Sequence, residues 1–115
     1  MVVNSQFIYK ICQKTEWEKA RKTGVYTGST VDIEDGFIHF SPIDLLKSTA
    51  EKYFKNQDAV ILEVSTKLLN HIKWEEARGG SLFPHLYGNL DIRQVVRVYD
   101  LKLDLDDLCR NALNK

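Results

Sequence analysis

Ala59-Val60-Ile61-Leu62-Glu63-Val64 is the most apolar run in the chain, and a run of that length suits a central strand covered on both faces. Such a strand needs packing partners on either side, so the elements around it decide the architecture. Upstream, Phe7-Ile8-Tyr9-Lys10-Ile11-Cys12 is rich in β-branched and aromatic residues and reads as a first strand. Thr15-Glu16-Trp17-Glu18 then gives a capping box, with Thr15 as N-cap and Glu18 reaching back to its amide. The helix runs to about Thr23, where Gly24 takes the left-handed position beyond the C-terminus.

From Val25 to Gly36 the glycines, Ser29-Thr30 and interspersed acids read mostly as loop, and Gly36-Phe37-Ile38-His39-Phe40 as a short second strand. Ser41-Pro42-Ile43-Asp44 is another start signal: a serine cap, proline at the first helical position and an acid near the positive end of the dipole. Leu45, Leu46, Thr49, Tyr53 and Phe54 recur at helical spacing through about Lys55. Beyond the apolar strand come a turn at Thr66–Asn70, a fourth strand at Ile72–Glu75, one helical turn within Leu90–Val95, and a closing strand at Arg97–Leu101. A C-terminal helix at about 105–113 ends the chain. No linker, repeat or low-complexity stretch divides it, so residues 1–115 read as a single α+β domain.

With 115 residues and 43% hydrophobic content the chain is long enough to bury a core without staples. Sixteen acids balance sixteen bases, which disfavours broad contact with a phosphate backbone and therefore general nucleic-acid binding. Cys12 and Cys109 fit neither a zinc site nor a disulfide framework, and the histidines and acids lack metal-ligand spacing, so no metal is expected. The absence of a signal segment or a membrane-length apolar run points to a cytoplasmic protein that avoids the membrane. Trp17, Trp74, Phe83 and Tyr53 read as core, and His71 as surface.

The residues richest in chemistry lie between Trp74 and Leu90, W-E-E-A-R-G-G-S-L-F-P-H-L-Y-G-N-L. Glycines and Pro84 make the backbone there irregular, and irregular backbone carrying polar side chains is where sites are built. Arg78 can grip phosphate or carboxylate in a bidentate fork, Gly79 and Gly80 can offer backbone N–H groups to the same anion, and Tyr87 can stack on a flat ring. His39 and His85 are the candidate acid–base residues. The bland readings stand beside these: Arg78 paired with Glu75 or Glu76 on the surface, Gly79-Gly80 as a simple turn, His39 as a satisfied core imidazole, and Lys10 as a solvated edge residue.

Three segments, F-I-Y-K-I-C, D-G-F-I-H-F-S and R-G-G-S-L-F-P-H-L-Y-G, carry a resemblance to the family called domain of unknown function 952, over about residues 7–101. That resemblance implies a fold similar to the ADP-ribosyltransferases, with a mainly antiparallel, bent or split sheet flanked by helices. The order of elements also resembles RNA 2′-phosphotransferases, which use NAD. In them a strand ending Tyr-His-Gly-Thr is followed by a helix and a strand reading Val-His-Leu-Ser; here Tyr9-Lys10-Ile11-Cys12 and Ile38-His39-Phe40-Ser41 occupy those places.

The resemblance implies that His39 and Ser41 face a nicotinamide-sized cleft, with Tyr9 and Lys10 beside it. Lys10 stands where those enzymes have a histidine that binds a ribose hydroxyl, and no clear late catalytic glutamate is present, although Glu75 and Glu76 are candidates. The expectation is therefore a cleft that binds NAD or an ADP-ribose-like nucleotide and transfers or hydrolyses it. A non-catalytic small-ligand or protein-binding module is the competing expectation.

Overall fold

Residues 6–77 and 79–113 are described by the computed structural model of the protein, the last two without their side chains. The first strand, β1 (Phe7–Gln13), leads into helix α1 (Lys14–Thr23). The capping contact there differs from expectation: Glu16, not Glu18, reaches back, accepting from the Gln13 backbone N–H at 3.0 Å. Gly24 ends α1 with φ 88°, its N–H donating to Ala20 O at 2.8 Å, as the C′ reading requires.

The supposed loop between residues 25 and 36 is structured. It contains strand β2 (Val25–Tyr26) and a short helix, α2 (Thr30–Asp35), capped by Ser29. Ser29 Oγ accepts from Asp32 N at 3.2 Å, while the Asp32 carboxylate accepts from Ser29 N at 2.9 Å, a reciprocal box in which aspartate replaces the usual Glu or Gln. Strand β3 (Ile38–His39) follows, then helix α3 (Ile43–Tyr53). Ser41 does not cap α3; Pro42 is the N-cap, and Ser41 bridges to Tyr9 instead. Tyr53, at the helix end, is 61% exposed and not core.

Strand β4 (Ala59–Ser65) is buried along nearly its whole length and sits between β1 and β8 (Val95–Asp100), antiparallel to both. The apolar run is thus the central strand, covered twice. Ile8, Cys12, Leu62 and Val64 pack to one side with Trp17 and Ala20 of α1. Tyr9, Ile11 and Ile61 pack to the other with Leu46 of α3 and Leu101 and Leu108 of the last helix, α4 (Leu101–Leu113), which starts four residues earlier than expected.

The glycine-rich segment is more regular than its composition suggested. Strands β5 (Ile72–Glu76) and β6 (Leu82–Leu86) form an antiparallel hairpin, and β3 adds to the other edge of β6, giving the order β3-β6-β5. Phe40 N donates to Pro84 O at 3.0 Å, but Pro84 has no N–H to return, and pairing along β3 stops at this point. Strand β7 (Leu90–Asp91) pairs with β2, and a single 3₁₀ turn at Ile92–Gln94 precedes β8.

The two three-stranded sheets are joined where Tyr9 N donates to Ser41 O at 2.9 Å and Ser41 N donates to Tyr9 O at 2.7 Å. The result is a single α+β domain with split, antiparallel sheets and flanking helices. No helix among the described residues is long and apolar enough to cross a membrane.

Candidate functional site

Side chains alternate along a strand, and the β3-β6-β5 sheet uses that alternation to separate core from chemistry. Ile38, Phe40, Pro84 and Leu86 are buried in the core. Their neighbours His39, Phe83 and His85 turn to the opposite face, where His39 and His85 are direct cross-strand partners. Their rings lie 5.3 Å apart edge to face, so residues 46 positions apart in sequence meet on one surface. This face forms part of the wall of a cleft of about 670 Å³, shared with α2, β1 and the end of α3. A shallower hollow of about 400 Å³ along α1, edged by Lys14, Lys19 and Asp58, holds no comparable group.

On one side of the cleft Asp32 is the hub. Its buried carboxylate meets Lys10 Nζ at 2.7 Å and His39 Nδ1 at 2.6 Å, besides accepting from the backbone N–H of Ser29 and of His39. Burial alone would raise this acid's pKa, but the His39 and Lys10 contacts and the Ser29 amide outweigh it and hold the carboxyl far below the usual range. His39 is also bound from its other side, with Nε2 3.1 Å from Asp35 Oδ2. Lys10 is therefore no solvated edge residue: the alternation that buries Ile8 and Cys12 carries it inward too, and burial is tolerable because the charge is paired.

Beside His39 on the same sheet, Glu75 Oε1 receives both the Tyr87 hydroxyl at 2.6 Å and His85 Nδ1 at 2.7 Å, and of these three only His85 lines the cleft. These bonds from Tyr87 and His85 lower the Glu75 pKa, and the same Glu75 contact raises that of Tyr87. Phe37 backs the pair, stacked on His85 at 4.1 Å and tilted against Tyr87 at 5.1 Å. His85 Nε2 has no hydrogen-bond partner among the described residues.

The remaining candidates divide. Ser41 lines the cleft, buried, with Oγ 3.4 Å from Thr49 Oγ1. Tyr9 does not: its side chain points to the other face of β1, where its hydroxyl donates to Glu63 at 2.9 Å. Gly79 and Gly80 are exposed in the hairpin turn with φ 98° and 92°, and the Gly80 N–H is already spent on Ala77 O at 2.9 Å. They shape the turn, which leaves the Gly80 N–H no anion to meet. Arg78 lies outside the described residues. Trp74 is 38% exposed and Phe83 half-buried, so of the four residues read as core only Trp17 is buried.

Asp32 and Asp35 are not among the residues the sequence singled out, whereas Glu75 is, though without its tie to His85. The signal for the first is in Ser29-Thr30-Val31-Asp32 ahead of Gly36, a cap and a stop with six residues between them, read as loop because the helix is short. Both cysteines are free and buried, in opposite core clusters, and burial pushes the Cys12 thiol up to about 12, unsuited to a nucleophile. Among the described residues no group of acids, cysteines and histidines has the arrangement of a metal site.

Comparison with known proteins places this architecture. The crystal structure of protein CC0527 from Caulobacter crescentus matches with a TM-score of 0.85 at 42% identity, covering 90% of this chain and 98% of that one. The solution structure of CC0527 matches at 0.75 and 43% identity, covering 83% and 84%. No curated protein matches. Residues 11–98 match the family described as "Protein of unknown function (DUF952)", and the chain belongs to that family.

Proposed function

We propose that the cleft binds NAD or an ADP-ribose-like nucleotide, gripping it by a ribosyl ring that carries a neutral or cationic base. The observation that carries this reading is the apposition of His39 and His85, 5.3 Å apart and each tied to a carboxylate, on the wall of a cleft of about 670 Å³. That volume falls in the range of small-molecule sites. Imidazoles and carboxylates match ribose hydroxyls as acceptors and donors, and Phe54 and Phe83 offer apolar wall to a flat ring.

Charge refines the choice. The lining holds Glu16, Asp32 and Asp35 against Lys10, which is already paired. An excess of carboxylate suits a pyridinium cation better than a bare phosphate. The pyrophosphate would then fall to Arg78, next in sequence to the cleft residue Ala77. The resemblance to ADP-ribosyltransferases and RNA 2′-phosphotransferases supports the same ligand class, with transfer or hydrolysis as the chemistry.

One observation favours a purely binding role: both ring nitrogens of His39 are held by carboxylates, so this imidazole is not set to exchange a proton with a ligand. The test common to both readings is a melting curve with NAD and with ADP-ribose. A ligand that binds only the folded state raises the midpoint by mass action, and Arg78→Ala should weaken that rise. An unchanged midpoint at millimolar concentrations of both ligands rejects nucleotide binding.

A further inference from the structure

We infer that His85 is the base that takes a proton from an attacking water, so that the cleft hydrolyses the bond between a ribose and its base; this rests on the nucleotide reading above. The Glu75 carboxylate can only accept at Nδ1, 2.7 Å away, so in the neutral ring the proton sits on that nitrogen and the lone pair on Nε2. Nε2 is unclaimed among the described residues, and His85 borders the cleft. The ring is fixed from two sides, stacked at 23° on Phe37 and edge-on to His39. Glu75 is fixed in turn by the Tyr87 hydroxyl. An oriented base supported by a second set of contacts is what proton transfer requires.

The acceptor is water because of access. The His85 side chain is only 11% exposed, so with a nucleotide in the cleft a small nucleophile alone can reach Nε2. In the step, the water oxygen bonds to the anomeric carbon as the carbon–nitrogen bond breaks. The bonding pair leaves on the ring nitrogen of the base, which for a pyridinium restores a neutral pyridine. The proton lost by water passes to His85 Nε2 and then to solvent, leaving ADP-ribose. Asp35, at the rim beside His39, faces the positive charge that develops on the ribose. His85 is thus the catalytic residue and Glu75 a positioning residue.

The experiment follows ADP-ribose release from NAD together with the thermal shift caused by ADP-ribose, in the wild type, His85→Asn, His85→Gly and Glu75→Gln. Wild type should release ADP-ribose. His85→Asn, whose amide still offers a polar partner to a ribose hydroxyl, should keep a reduced thermal shift and lose about 10²-fold or more in kcat, and added imidazole should restore part of the rate to His85→Gly. Glu75→Gln should lower kcat with KM little changed, because an amide N–H turned to Nδ1 would move the ring proton to Nε2. Nucleotide binding without hydrolysis by the wild type, or wild-type turnover in His85→Asn, overturns the inference and leaves the binding reading standing. Absence of any thermal shift in the wild type removes both.

Discussion

Asp32–His39 and Glu75–His85 are the same chemical pair at nearly the same distance, 2.6 and 2.7 Å, on adjoining strands, yet they are built for different work. The Asp32 side chain is 2% exposed and that of Glu75 38%. Asp32 is saturated by Lys10, His39 and two backbone amides, and it ties α2 to β1 and β3. Among the described residues Glu75 holds two side chains, His85 of β6 and Tyr87 just beyond its end, and one imidazole nitrogen stays unclaimed. Saturation turns one pair into a fastener; the other keeps an imidazole nitrogen without a partner among the described residues.

Removing the hub should separate the two most sharply. Asp32→Ala leaves the Lys10 ammonium buried without its partner and should cost about 3–5 kcal/mol, measured by urea denaturation; a loss no larger than that of a surface substitution would break the contrast. A smaller effect is expected at Gly28, where φ is 105° and an added Cβ would lie 2.7 Å from Asp32 Cβ. Gly28→Ala should destabilise by about 1–3 kcal/mol. Gly80→Ala, with a similar φ but open space around it, should cost less. Equal losses would show that Asp32 is not packed as tightly as its contacts imply.

Acid should discriminate in the same direction. The Asp32 carboxyl has a folded-state pKa below its unfolded value, so its contribution is complete above about pH 4 and is lost as pH falls through the depressed folded value. Urea midpoints should therefore decline below about pH 4 in the wild type, and Asp32→Asn should flatten that decline. Least of all, Glu75→Gln should leave the midpoint almost unchanged while altering the imidazole NMR signals of His85 and not those of His39. Parallel changes in both rings would mean that the two pairs act as one unit.

Much of the framework was legible because it follows from short-range rules. β1, β4, α1 and the 3₁₀ turn announce themselves by residue type, and the helical stripe of α3 by its period. The face of His39 was also implicit, since Ile38 and Phe40 must share the core. What spacing could not supply was the partner of each charge. Lys10 looks solvated until Asp32 is brought to it, and that contact depends on a six-residue helix too short for a periodic signal. The hairpin was obscured by its own glycines and Pro84, which signal irregularity although β6 needs only one missing N–H to accommodate the proline. Tyr9 was assigned to the cleft through resemblance, whereas the alternation of β1 sends it away from Lys10.

The paired hydrogen bonds between Tyr9 and Ser41 bring the two sheets together at the cleft. Each wall depends on strands drawn from remote parts of the chain: β1 pairs with β4, and β3 with β6. Such non-local pairings must close long loops of chain before they form, so the hollow depends on most of the chain being folded. Ligand occupancy would consequently serve as a gauge of whole-molecule integrity, and damage at a far edge would register as lost affinity before any cleft residue changed.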